Sequence, residues 1–255
     1  IVPIFILFMR FGGSLNYTNS VNWESAGLTK DPFLNEIILD DIQALYRAYN
    51  ENKMMKQGDI SYLDKGKIKD YADNIATIEK SKILEENFKR EARGAKIEKP
   101  KHIFIIIGES YAQWPLFEEY SDLHIADGLK SLMAKDNAFY TNMFLPTGTS
   151  TAGSVNGIID GLPGVGLFPA YQSESYKTVF ATAIAKQFKN LGYKAIFWHA
   201  GFASSGRLKD FAMAQGFDEY YGCNDLGLDK TNIWGAKDEV FFNKIIEKVC
   251  EEDTP

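Results

Sequence analysis

The amino-acid sequence predicts an α/β domain with helices on both faces of its sheet, preceded by a helical arm. The first observation is a continuous apolar run at residues 102–107, HIFIII, which has the pattern of a strand buried on both faces. The second is the alternation of such runs with segments of helical apolar spacing from residue 101 onward. The third is a mixed-charge stretch at residues 65–99, which is typical of solvated helices on a connecting arm.

Composition excludes several broad classes of protein. The chain has 255 residues, of which 45% are hydrophobic and 14% aromatic, so it has enough apolar side chains for a folded core. Two cysteines in so long a chain exclude a disulfide scaffold. The 28 basic residues are outnumbered by 34 acidic ones, and we therefore expect no nucleic-acid partner.

The chain begins with an apolar segment, IVPIFILFM at residues 1–9. It is shorter than the about 20 apolar residues that span a bilayer. It also lacks the basic region and the cleavage site of a signal peptide. One interpretation is the start of a buried strand or helix. The other, which we favour, is the end of a transmembrane helix, because Phe5, Phe8 and Phe11 around an arginine suit a membrane interface and membrane helices tolerate Pro3.

These patterns divide the chain into three parts. Residues 1–11 are interpreted as a transmembrane stub, residues 12–100 as a helical juxtamembrane arm, and residues 101–255 as the first part of the α/β domain. Within the arm, apolar spacing predicts a helix at residues 32–50 with Asp31 as its N-cap. Because the chain starts at Ile1 inside an apolar run and stops at Pro255 just after a charged helix, we expect it to be a fragment cut at both ends.

The elements of the domain follow from apolar periodicity and from Gly192, which suits the end of a helix before a strand. Strands are predicted at residues 102–107, 138–145 and 194–198, and helices at residues 125–135, 152–160, 178–190, 208–215 and 237–250. In sheets of this class, functional groups lie at the carboxyl ends of the strands. We therefore expect three strand ends to meet in one crevice, those at Glu109, at residues 147–151 and at His199.

Glu109 directly follows a predicted strand and a glycine. A carboxylate in this place is a hard oxygen ligand suited to a divalent cation. The alternative is an acidic residue that stabilises the start of the next helix through its dipole.

The segment PTGTSTAGSVNGIIDGLP, at residues 146–163, places three threonines and two serines among glycines before a predicted helix. Hydroxyls beside the N–H groups of a helix N-terminus suit phosphate binding and nucleophilic attack. Since no base lies nearby in sequence, a threonine nucleophile here would need a metal ion to activate it. The alternative is an ordinary hydroxyl-rich capping loop. The segment matches neither a nucleotide P-loop nor a G-x-S-x-G elbow.

The remaining candidates are single residues. His199 could bind a phosphate or a metal, although a histidine at a strand end is more often structural. Cys223 and Cys250 lack the spacing of a metal site, and we interpret them as unbridged thiols.

Three segments together resemble a known family. They are GES at residues 108–110, GTSTAGSV at residues 148–155 and GYKAIFWHAGFASSGRLKDFAMAQGFDEYYG at residues 192–222. The family comprises the membrane-anchored, sulfatase-like phosphotransferases of bacterial envelopes, which include the lipoteichoic acid synthases (phosphoglycerol transferases) and the phosphoethanolamine transferases of lipid A. The resemblance covers residues 101 to about 250. It implies the mixed sheet flanked by helices of the alkaline phosphatase superfamily, in an extracytoplasmic domain anchored in the bacterial cell membrane by preceding helices.

The resemblance also implies roles for individual residues. Glu109 resembles the metal-ligating glutamate, and Thr151 resembles the nucleophile that also ligates the metal, with Thr149 as the neighbouring alternative. His199 resembles a histidine that contacts the transferred phospho-group. Arg207 resembles a phosphate-binding arginine with a shift of one residue, although the tryptophan expected just before it is absent.

The implied activity is a metal-dependent transferase reaction. A phospho-head group passes from a phospholipid donor to an envelope glycan or lipid acceptor through a phospho-threonine intermediate, with Mn, Mg or Zn as the metal. Phosphoethanolamine transferases usually have cysteines where this sequence has Thr147 and Gly157, which favours phosphoglycerol as the head group.

Two alternatives stay open at this point. One is a hydrolase of sulfuric esters or phosphodiesters, although neither cysteine has the C/S-x-P-x-R setting of a true sulfatase. The other is a non-catalytic envelope protein that has lost its metal site. The family takes its remaining metal ligands from an Asp-His pair and another histidine late in the domain, and this sequence holds no Asp-His pair. We therefore expect the 255-residue chain itself to be inactive.

Overall fold

The computed structural model describes a helical protein that contains a short parallel sheet. The described residues are 2–10, 29–37, 45–46, 48–50, 52–53, 67, 70, 74, 94, 98–109, 111–142, 144–148, 150–164, 169–203, 207–229, 231–232 and 234–251. Residues 11–28 and most of the charged stretch at residues 65–99 lie outside these ranges.

Among the described residues, two α-helices are assigned before residue 101. Helix α1 spans Val2–Arg10, with exposed side chains at Val2, Ile4, Phe5 and Phe8. Helix α2 spans Pro32–Ile37, and the described residues between 45 and 53 are also helical. Asp31 caps α2 as predicted, because its Oδ1 accepts hydrogen bonds from the N–H groups of Phe33 and Leu34 at 2.8 and 3.3 Å. Among the described residues, no helix is both long and apolar enough to cross a bilayer.

The domain contains five α-helices and two strands among its described residues. In chain order they are α3 (Asp127–Met133), α4 (Thr151–Asp160), α5 (Ile184–Asn190), β1 (Ile196–His199), α6 (Leu208–Ala214), β2 (Glu219–Gly222) and α7 (Asp238–Glu251). Short 3₁₀ helices lie at Trp114–Leu116, Glu118–Leu123, Pro169–Tyr171 and Ser173–Tyr176. Each of the five α-helices overlaps a predicted helical segment. Helix α4 begins one residue before its predicted start, α7 ends one residue after its predicted end, and α5 begins six residues later than the predicted start at residue 178.

The sheet consists of the parallel strands β1 and β2, and α6 lies between them in the chain. Ile196 lies opposite Glu219, and His199 lies opposite Gly222. Asp218 fixes the start of this pairing: its N–H donates to the Ala195 carbonyl at 2.8 Å, and its Oδ2 accepts from the Ala195 N–H at 2.9 Å. The predicted third strand is therefore confirmed as β1, and β2 is an element that the periodicity did not predict.

The other two predicted strands, at residues 102–107 and 138–145, are absent from the described residues of those segments. A strand needs a neighbour that pairs with its backbone, and the sheet described here contains only β1 and β2. The side chains of Ile103–Ile107 are exposed, and so are Phe139 and Phe144, which contradicts the expected burial on both faces. The wider mixed sheet of an alkaline-phosphatase-like fold stays a prediction.

The main core joins the helices to this sheet. Its buried members come from α4, α6, β2 and the neighbouring loops, and half-buried side chains from β1 and the 3₁₀ helices pack against them. The buried members are Ile159, Ala170, Ala203, Phe211, Ala212 and Tyr220. Helix α4, which begins within the hydroxyl-rich segment, therefore packs in the same core as β1.

Candidate active site

Thr151 is the first residue of helix α4. Ser150 precedes it in an extended conformation, and its Oγ accepts a hydrogen bond from the Gly153 N–H at 3.2 Å. This is an N-cap, which sets the direction of the first turn. The helix ends at Gly161, whose left-handed φ of 75° and N–H bond to the Gly157 carbonyl terminate it. The sequence therefore places an exposed hydroxyl at the N-terminus of a helix that is capped at both ends.

The Thr151 hydroxyl contacts Glu109. Its Oγ1 donates a hydrogen bond to Glu109 Oε1 at 3.1 Å, between residues 42 positions apart in sequence. Both side chains are exposed. The structure thus brings together the two residues that the sequence analysis assigned to the metal and to nucleophilic attack.

The loop before Thr151 is held against the first turn of α4. Ser154 Oγ donates to the Gly148 carbonyl at 3.0 Å, and Thr147 Oγ1 donates to the Ser154 carbonyl at 3.0 Å. A Cβ atom on Gly148 would lie 2.7 Å from the Gly153 carbonyl carbon, so only glycine fits this approach. The alternative nucleophile, Thr149, lies in this loop but outside the described residues.

Thr147 and Gly157 also pack against each other. A Cβ atom added at Gly157 would lie 2.6 Å from Thr147 Oγ1. Thr147, before the first turn of α4, and Gly157, near the end of the helix, are therefore neighbours.

His199 is the last residue of β1. Its ring lies 6.4 Å from the ring of Tyr220 on β2, at an interplanar angle of 59°. Burial raises the pKa of the Tyr220 hydroxyl, which therefore stays protonated at neutral pH. Within the described residues, His199 does not hydrogen-bond to the Thr151 hydroxyl, whose bond is with Glu109.

Arg207 immediately precedes α6 and is exposed. Its φ of 56° lies in the left-handed region, which is uncommon for a residue with a side chain. Its guanidinium lies over the ring of Tyr176, 5.5 Å from the ring centroid. Ser205 and Gly206 lie outside the described residues.

Glu109 and Thr151 could provide part of a binding site for a hard divalent cation. A carboxylate and a hydroxyl 3.1 Å apart are two oxygen donors close enough to share one ion, as Mg²⁺ or Mn²⁺ prefers. The described residues contain no group of three or more His, Cys, Asp or Glu side chains that could hold a metal. Glu109 and Thr151 would therefore supply two ligands of a larger set.

The sequence patterns give no role to Ser154, which lies in the hydroxyl-rich segment, or to Tyr176. The contact of Tyr176 with Arg207 joins residues far apart in sequence, and no local pattern marks it. The two cysteines form no disulfide, as expected, with Cys223 buried and Cys250 exposed.

No protein-family model, curated protein or solved structure matches this chain. The motifs and the contact between Glu109 and Thr151 are therefore the observations that bear on function.

Proposed function

We propose that this chain carries the nucleophile of a sulfatase-like phosphotransferase of the bacterial envelope, which transfers a phosphoglycerol head group from a phospholipid to a glycan or lipid acceptor. The observation that supports this proposal best is the 3.1 Å hydrogen bond from Thr151 Oγ1 to Glu109 Oε1 at the N-terminus of α4. A carboxylate brought to an exposed threonine from a distant segment suits nucleophilic catalysis better than a capping loop, because Ser150 already caps the helix.

The proposed reaction has two displacements at phosphorus. In the first, Thr151 Oγ1 bonds to the phosphorus of the donor and the bond to the diacylglycerol oxygen breaks. The proton from Thr151 leaves with the diacylglycerol. In the second, an acceptor hydroxyl bonds to phosphorus, the bond to Thr151 Oγ1 breaks, and the threonine regains a proton. A divalent cation bound at Glu109 and Thr151 would lower the pKa of the hydroxyl and offset the charge of the phosphate.

The start of α4 supports the binding of a phosphate. The first N–H groups of a helix have no acceptor within it, and the Ser150 side chain accepts the one from Gly153. The N–H groups of Thr151 and Ala152 therefore suit an anion at the positive end of the helix dipole. Arg207 and His199 are proposed to contact the same phospho-group.

The proposal is tested with the full-length protein and a phosphatidylglycerol donor. Mass spectrometry of the proteolytic peptides should find a phosphoglycerol adduct on Thr151, and Thr151→Ala should abolish both adduct and acceptor product. Thr149→Ala, two residues away in the same loop, is the matched control and should keep the product.

Three results would change the assignment. Turnover that persists in Thr151→Ala would rule out this nucleophile, and an adduct on Thr149 would move the role to the alternative threonine. Release of the head group to water without an acceptor product would indicate a hydrolase instead.

A further inference from the structure

Ser154 lies in the first turn of α4 and makes three hydrogen bonds to the loop before that helix. Its N–H donates to the Ser150 carbonyl at 2.9 Å, which is the bond that starts the helix. Its Oγ donates to the Gly148 carbonyl at 3.0 Å, and its own carbonyl accepts from Thr147 Oγ1 at 3.0 Å. One helical residue therefore holds three residues of the loop that leads to Thr151.

The side-chain bond of Ser154 is unusual for a serine in a helix. Such a hydroxyl ordinarily bonds back to the carbonyl four residues earlier, which here is that of Ser150. The Ser154 hydroxyl reaches Gly148 instead, which lies six residues earlier and outside the helix. Gly148 can come this close because it has no side chain: a Cβ atom there would lie 2.8 Å from the Ser154 nitrogen. The hydroxyl therefore joins the loop to the helix.

The loop is also held from the segment that follows α4. The Gly164 N–H donates to the Thr147 carbonyl at 2.6 Å. A Cβ atom on Gly164 would lie 3.1 Å from the Gly148 Cα atom, so the two backbones are in close contact. Thr151 directly follows this loop, and its Oγ1 donates to Glu109 at 3.1 Å. A displacement of the loop therefore acts on the residue that carries the proposed nucleophile.

From these contacts we infer that Ser154 is a positioning residue, which holds residues 147–150 against α4 so that the Thr151 hydroxyl keeps its place beside Glu109. The inference rests on the proposed function for the role of Thr151. Ser154 acts through the loop. Attack on phosphorus depends on exact placement, since a displacement near 1 Å at a reacting group costs about 100-fold in rate. Loss of the Ser154 hydroxyl should therefore lower kcat and leave KM for the donor nearly unchanged.

The alternative is that Ser154 only stabilises α4, and three variants separate the two roles. Ser154→Ala removes the hydroxyl and keeps both backbone bonds of this residue. Ser154→Thr keeps a hydroxyl at the same position. Ile159→Val is the control for stability, because it removes one buried methylene group from the other end of α4, in the main core.

The experiment measures kcat and KM of the full-length protein with a phosphatidylglycerol donor. Ser154→Ala should lower kcat by about 10- to 100-fold and change KM by less than about threefold. Ser154→Thr and Ile159→Val should keep kcat within about threefold of the wild type, although urea unfolding should show that Ile159→Val is less stable.

Hydrogen exchange of single amides, measured by mass spectrometry of the same proteins, tests the inference without turnover. The N–H groups of Gly153 and Gly164 both bond to the loop, one to Ser150 Oγ and the other to the Thr147 carbonyl. Ser154→Ala should speed their exchange by about three- to tenfold, the range expected when one hydrogen bond is lost. Ile159→Val should leave both exchange rates near those of the wild type.

Four results would overturn the inference. They are a wild-type kcat in Ser154→Ala, an equal loss of kcat in Ile159→Val, a kcat of Ser154→Thr no higher than that of Ser154→Ala, and unchanged amide exchange in Ser154→Ala. A failure of the proposed function is recognised separately, because turnover would then persist in Thr151→Ala.

Discussion

Asp160 is a buried acid at the end of α4, with a side chain that is 1% exposed. Its Oδ1 accepts a hydrogen bond from the Leu162 N–H at 2.8 Å, and its Oδ2 makes no hydrogen bond to the residues that the structure describes. Burial raises the pKa of this carboxyl, an effect that the backbone bond opposes in part. The ionised form is therefore less favourable in the folded chain than in the unfolded one.

The pH dependence of stability follows from this shift. Because the pKa of Asp160 is higher in the folded state, the folded chain holds more protons between the unfolded and the folded pKa values. Raising the pH through that window therefore lowers the free energy of unfolding. Asp160→Asn should remove this contribution, so that its stability relative to the wild type rises as the pH goes from about 4 to 8.

Urea unfolding at a series of pH values measures the effect. The control is Asp122→Asn, which changes an exposed aspartate in the helix Glu118–Leu123. It should keep the wild-type pH dependence. If the free energies of unfolding of Asp160→Asn and the wild type changed in the same way with pH, the ionisation of Asp160 would have no effect on stability.

The loop before α4 depends on a close approach between its own backbone and the backbone of the first turn of α4. A Cβ atom on Gly148 would lie 2.7 Å from the Gly153 carbonyl carbon and 2.8 Å from the Ser154 nitrogen. Gly148→Ala must therefore move either the loop or the first turn of α4, and Thr151 lies between them. We expect a loss of about 1–3 kcal/mol in stability from the forced contact. Activity should fall by about 100-fold, since a displacement near 1 Å at a reacting group has effects of that order.

Gly128→Ala is the matched control for Gly148→Ala. Gly128 is exposed in α3, and a Cβ atom there would meet nothing within 4 Å. Alanine in a helix should stabilise this variant by about 0.5–1 kcal/mol and leave the activity unchanged. Thermal unfolding and product formation, the latter in the full-length protein, measure both variants. If Gly148→Ala kept full activity, Thr151 would not depend on the close packing of its loop.

The elements also show what the sequence could predict. Helices α3 to α7 were predicted because apolar spacing and end signals are local: Gly192, with a φ of 79°, does end the helical segment before β1. Strands need a distant partner, so an apolar run alone did not make one at residues 102–107. Strand β2, EYYG, lacks the apolar run that marked the others, and it forms by pairing with β1.

The candidate active site shows the same contrast between local signals in the sequence and contacts between distant segments. The rule that functional groups lie after apolar runs pointed to Glu109 and to residues 147–151. Only the family resemblance distinguished Thr151 within that segment and assigned a role to Arg207. The structure places Glu109 and Thr151 in contact. Tyr176 could not be found in this way, because its contact with Arg207 depends on how the core brings two distant segments together.

At the scale of the whole molecule, one aromatic side chain connects several elements. Phe211 of α6 is fully buried and belongs to the cluster that includes Ile159 of α4 and Tyr220 of β2. Helix α4 therefore keeps its place relative to the sheet through the same side chains that fix α6. This arrangement predicts that α4, α6 and the sheet unfold together and that Phe211 contributes strongly to their stability.

Phe211→Ala tests this prediction. Loss of a fully buried phenylalanine should lower the free energy of unfolding by about 3–5 kcal/mol, because it removes apolar contacts and leaves a cavity. Phe242→Ala removes the same atoms from α7, where the side chain is 40% exposed, and should cost about 1 kcal/mol or less. Urea unfolding followed by circular dichroism and by tryptophan fluorescence, with Trp198 on β1 as one reporter, should give coincident transitions. Equal costs for the two variants, or separate transitions for the helices and for Trp198, would show that this cluster does not join α4 and α6 to the sheet as one cooperative unit.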